Sequence, residues 1–148
     1  MSDFFNRIIG IILVFILLVI APLIIQSLSR DLTIKRSILN EMTNFIDKVT
    51  DTGHISDLDK TDFYVGCSSY GAVVDIRIKR YMRIVNPDGN GSTYCTYVLT
   101  DKITDWDQGD IIEVDVQAID HTAAQKLAAY FNKVSTPKLD FQLAGMIR

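Results

Sequence analysis

The chain has 148 residues, a formal net charge of −3, a pI near 5.2 and 48% hydrophobic residues. That balance lacks the clustered Lys and Arg with which nucleic-acid binders neutralise phosphates, so nucleic acid is excluded as a partner. An apolar segment occupies roughly the first 30 residues and leaves about 115 to fold in water, which suffices for one small domain and not for two.

From Ile8 to Ser29 no residue is charged, and the run is Ile and Leu almost throughout, bracketed by Arg7 and Arg30. At about 1.5 Å per residue, Ile8 to Leu28 reaches across a bilayer core of about 30 Å. A secretory signal peptide has a shorter apolar core and ends at a small-residue site of the A-x-A kind, which this run lacks, so a retained single-pass anchor is expected. Pro22 removes a backbone donor and crowds the preceding turn, which predicts a kink or a local opening of the helix. The flanking charges do not decide orientation, because Arg7 and the amino terminus oppose Arg30, Lys35 and Arg36.

Beyond the membrane, Leu32, Ile38, Leu39, Met42, Phe45, Ile46 and Val49 recur at spacings of three and four among charged residues, which is an amphipathic helix. No Gly or Pro separates it from the apolar run. One helix of about 50 residues ending near Gly53 is therefore expected. Its upper half, Ile38, Met42, Phe45 and Val49, is expected to pack on the chain's own sheet.

The polar stretch GHISDLDKTD then reads as a connector. After it, Ala72, Val74, Ile76, Ile78, Met82 and Ile84 alternate with Asp75, Arg77, Lys79, Tyr81 and Arg83, as in a long half-buried strand. Arg77, Lys79, Arg80 and Arg83 read mostly as one solvated basic face. The segment NPDGNGS is a turn, a second strand runs from about Thr93 to Thr100, and DKITDWDQGD is a loop. Ile112, Val114, Val116 and Ala118 alternate with Glu113, Asp115 and Gln117 in a third strand, and the three strands are expected as an antiparallel meander. Asp120 or Thr122 would cap a short helix through Ala123, Ala124, Leu127, Ala128, Phe131 and Val134, ended by Pro137. The tail KLDFQLAGMI alternates through Leu139, Phe141 and Leu143 and would add a fourth strand. The expected fold is thus α+β, with residues 1–30 as tail and transmembrane helix and residues 31–148 as a small domain.

Cys67 and Cys95 are the only cysteines, too few for a structural zinc site. They point to one disulfide, worth roughly 3 kcal/mol, and so to a domain outside the membrane; two reduced cysteines packed as small hydrophobes are the alternative. Asp105, Asp107 and Asp110 in TDWDQGD place alternating carboxylates at a turn, but Gly109 stands where a calcium loop needs a further ligand, so a structural loop outweighs a metal site. His54 and His121 sit in turn and capping contexts, no phosphate-binding Gly-rich loop ends in Lys, and no nucleophile elbow is present. No catalysis, cofactor or small-molecule substrate is expected.

A short tail, an apolar helix containing Pro22, an unbroken amphipathic continuation and an antiparallel sheet over it resemble the type IV pilin superfamily, nearest to Tad-type minor pilins and pseudopilins. The likeness rests on the order of elements. At the prepilin cleavage signature the chain departs, since the candidate Gly10 is followed at the fifth position by Phe15 in place of Glu. The resemblance implies a structural subunit that waits in the membrane lipid and is then drawn into a filament with identical or homologous subunits. Ile8, Ile12, Phe15, Val19, Pro22 and Ile25 would lie on the shared helix, and the C-terminal domain would stand outside the cell. A membrane-tethered binding or accessory module is the alternative.

Overall fold

The computed structural model describes residues 2–122, 125–126, 129–130 and 138–148. It divides into two compact units, Met1–Thr33 with Thr122–Thr136, and Ile34–His121 with Pro137–Arg148.

In the first unit, helix α1 (Ser2–Phe15) passes into a π-helical turn (Ile16–Ile20), and α2 (Ala21–Thr52) begins directly after it. Uncharged Ile and Leu favour continuous helix, and the one interruption of the ladder sits immediately before Pro22. Thr122 belongs to this unit and donates through Oγ1 to Asp31 Oδ2 at 2.6 Å. Thr122 Oγ1 also accepts from the Gln125 N–H at 3.2 Å. The short helix expected through Ala123, Ala124, Leu127, Ala128, Phe131 and Val134 lies outside the described residues.

In the second unit, Ile34, Ile38, Met42, Phe45, Ile46 and Val49 of α2 are buried, and Ile38 and Met42 are wholly inaccessible. Gly53, at φ +63°, ends the helix, its N–H donating to the Val49 carbonyl at 2.8 Å; a glycine adopts this left-handed backbone without the Cβ penalty. The stretch read as a polar connector contains a helix instead, α3 (Asp57–Ser69). Its start is a capping box in which Ser56 Oγ accepts from the Asp59 N–H at 3.1 Å and Asp59 Oδ2 accepts from the Ser56 N–H at 3.0 Å. Two donors left free by the helix geometry are satisfied reciprocally. Phe63 of α3 stacks on Phe45 of α2, ring centroids 4.4 Å apart.

Four antiparallel strands, β1 (Val74–Pro87), β2 (Thr93–Thr100), β3 (Ile111–Ala118) and β4 (Asp140–Met146), lie in the order β2-β1-β3-β4. The tail therefore supplies the fourth strand. The order is not the meander expected from the sequence, because β3 crosses to the far side of β1. The register shows why: Val74–Tyr81 pairs with β3, and Arg80–Pro87 pairs with β2. Ile112, Val114, Val116 and Ala118 of β3 are all buried, whereas β2 is exposed from Thr93 to Leu99. The apolar strand takes the place under the helices, and the uncharged but polar-rich hairpin arm takes the edge. At Gly145 of β4 a Cβ would fall 2.5 Å from Ile46 Cγ2, so only glycine lets α2 approach the sheet this closely.

Candidate functional site

Among the described residues one helix, Asp3–Thr52, is long and apolar enough to cross a membrane. Ile8, Ile12, Phe15, Val19, Pro22 and Ile25 are all exposed on it, Phe15 at 60% and Ile25 at 64%. So large an apolar surface is stable only in lipid or against other apolar helices. Within it the Ala21 N–H donates to the Ile16 carbonyl, one residue further back than in an α-helix. Pro22 has no N–H to offer the next carbonyl. The local opening expected of Pro22 thus takes the form of a π-turn, one of the recognised ways in which a proline is accommodated in a membrane helix.

In the second unit the polar residues converge on a structural knot. Arg80 is 5% and Asp110 1% exposed. Arg80 Nε donates to Asp110 Oδ2 at 2.7 Å, Nη2 reaches Asp107 Oδ2 at 3.2 Å, and Nη1 donates to the Lys102 carbonyl at 3.2 Å and to that of Asp105. The guanidinium lies 5.4 Å from the centroid of the Trp106 ring, within range of a cation–π contact. Asp110 Oδ1 accepts the Arg83 N–H at 2.8 Å, and Oδ2 the Asp107 N–H at 3.1 Å. Burial pushes the Asp110 carboxyl upward, but the Arg83 and Asp107 N–H groups and the Arg80 charge outweigh it and hold the group below the ordinary aspartate value. Asp105 bonds His54 Nδ1 at 2.9 Å. Asp107 and Asp110 thus share Arg80 while Asp105 turns to His54, and no metal-holding cluster of three ligand side chains occurs among the described residues.

Arg80 corrects the reading of a solvated basic face. It shares the parity of Ile76, Ile78, Met82 and Ile84 and so points inward; that interruption of the apolar phase was the signal of a buried, paired guanidinium. Of the other cations, Arg77 pairs with Asp75 at 2.9 Å and Lys79 with Glu113 and Asp115 at 2.7 and 2.6 Å. Arg83 Nε donates to Cys95 Sγ at 3.3 Å.

The disulfide expected between Cys67 and Cys95 is absent; both are free. Cys67 faces the core from α3, and Cys95 is exposed on the edge strand opposite Val85, so the two belong to different layers. Burial, with a smaller push from Glu41, raises the Cys67 thiol to about 11. Thiolate is the reactive form. A maleimide reagent should therefore modify Cys95 within minutes and Cys67 only after denaturation, with an intact mass unchanged by reductant; a mass two hydrogens short of the free-thiol value would restore the bridge. With no bridge, the cysteines no longer argue for an outside location.

One further surface has no partner strand among the described residues. β2, TYCTYVLT, carries no charge and forms a sheet edge, with Tyr94 54%, Val98 45% and Leu99 57% exposed.

No family model, curated protein or solved structure matches the chain.

Proposed function

We propose that this chain is a structural subunit of a type IV pilus-like or pseudopilus filament, assembling through its apolar N-terminal helix and performing no catalysis. The observation that carries the reading is α2, which continues without a break from the exposed apolar run into residues buried under the sheet. A simple tether ordinarily has a flexible linker at that point. On this reading the partners are membrane lipid and identical or homologous subunits, with neither nucleic acid nor a small molecule involved, and the C-terminal domain stands outside.

The test is electron microscopy of material sheared from cells that express the chain, with antibody labelling of the filaments. An impermeant maleimide applied to the same intact cells should label Cys95. Labelling of Cys95 only after permeabilisation would overturn the orientation, and absence of the chain from any filament would overturn the role.

The alternative, a tethered binding module, is favoured by one feature, the uncharged edge of β2. Charge is among the devices with which edge strands resist pairing, and an edge without it is suited to accept a further strand.

A further inference from the structure

The π-turn leaves a polar demand at the centre of the apolar span. In an α-helix the Leu17 carbonyl would accept the Ala21 N–H, which here goes to Ile16. In a continued π-turn it would accept the N–H of residue 22, which is Pro22 and has none. The Leu17 carbonyl therefore has neither donor, and the Leu18 carbonyl has lost its α-helical one. Counted along Ile8–Leu28, both lie near the midpoint, about 14 Å from the end at Ile8. Lipid tails carry no donors, and an unmet carbonyl at that depth is costly.

The same span holds two polar side chains, Gln26 and Ser27, with Ser29 just beyond its end. The Ser27 hydroxyl donates to the Ile24 carbonyl at 2.8 Å. The Gln26 side chain is exposed and makes no hydrogen bond among the described residues, so its carboxamide, with two N–H donors, is the innermost free side-chain donor. It cannot serve its own helix, because eight to nine residues, or about 12–14 Å, separate it from the freed carbonyls. Toward the other end the first side-chain donor is Arg7, which lies outside the span and ten residues from Leu17.

We propose that the partner is a second copy of this chain, displaced along the helix axis by about 12–14 Å, so that its Gln26 carboxamide donates to the Leu17 and Leu18 carbonyls opened by the π-turn. This rests on the assembly reading and sharpens it: Pro22 provides the acceptors, Gln26 the donor, and their separation sets the stagger between neighbours.

The test uses the full chain labelled at Cys95 with donor and acceptor dyes, in detergent micelles, which do not hold two helices at one depth, with energy transfer followed as protein is diluted by detergent. Gln26→Leu should weaken self-association at least tenfold. Pro22→Ala restores the missing N–H and relieves the demand, so in that background Gln26→Leu should change association less than twofold. Helix content by circular dichroism should stay constant across all four proteins. Undiminished association of Gln26→Leu, or an equal loss in both backgrounds, overturns the inference while leaving the assembly reading intact. A parent chain that does not self-associate overturns both.

Discussion

Replacing Phe15 with Asp should reduce filaments on cells at least tenfold while leaving the C-terminal domain folded. Phe15 is 60% exposed on a helix surrounded by Ile and Leu, so in an assembly it faces lipid or a neighbour's apolar side chains. An ionised carboxylate at mid-span costs about 3 kcal/mol on insertion scales. Every subunit repeats the cost, so the assembly equilibrium responds more steeply than that of one chain. Membrane fractionation and immunoblotting must first show that the variant still inserts. Trp106, the single tryptophan and 7% exposed, reports through its emission that the domain is intact. A variant that inserts, folds and assembles as well as its parent would reduce the helix to an anchor and transfer the function to the tethered-module reading.

Asp110→Ala should be the most damaging single change in the folded domain, at about 3–5 kcal/mol, because it leaves the Arg80 guanidinium buried without its main carboxylate. Asp107 cannot replace it: its side chain is 87% exposed and reaches the guanidinium only at 3.2 Å. The loss would take a large share of the roughly 5–15 kcal/mol by which small domains are stable. Urea titration of the full chain in detergent, followed by Trp106 emission, measures it. Arg80→Met combined with Asp110→Leu should recover only part of the loss, since an apolar pair removes both desolvation costs but leaves the Arg83 and Asp107 N–H groups without their acceptor. A loss below about 1 kcal/mol for Asp110→Ala would show that the knot does not hold the 101–110 loop.

The same pair sets the sign of the acid response. Asp110 has a folded-state value below its unfolded one, so the stability it adds is fully present above the unfolded aspartate value near 3.9 and is lost as pH falls through the folded value. Asp59, held down first by the Lys48 hydrogen bond and then by Ser56, acts with the same sign. Stability should hold level between about pH 7 and 5 and decline below about 4, with a shallower decline in Asp110→Ala.

Several elements were legible because their physics is local. Alternation placed β1, β2 and β3, and Gly53 marked the end of α2. The helix α3 has a local signature too, in Ser56 followed by Asp59, but its sequence, DLDKTDFYVGCSS, carries only a weak apolar stripe, with Phe63 and Cys67 alone buried, and so reads as a connector. Arg80 announced itself by its parity, yet nothing nearby in sequence names Asp110 as its partner thirty residues on.

What the sequence determined by itself is whatever depends on neighbours along the chain. The uncharged run from Ile8 to Ser29 dictates a helix suited to a membrane, because length and apolarity are properties of one segment, and Pro22 dictates that its ladder must open. The α+β class follows likewise from the change of apolar period from helical to alternating. Only the tertiary structure decided the strand order, the fate of the cysteines and the role of the acidic loop. Each depends on which surface wins a place in the core: β3 buries four apolar side chains and displaces β2 to the edge, that displacement carries Cys95 away from Cys67, and the buried Arg80 takes Asp110 as its partner.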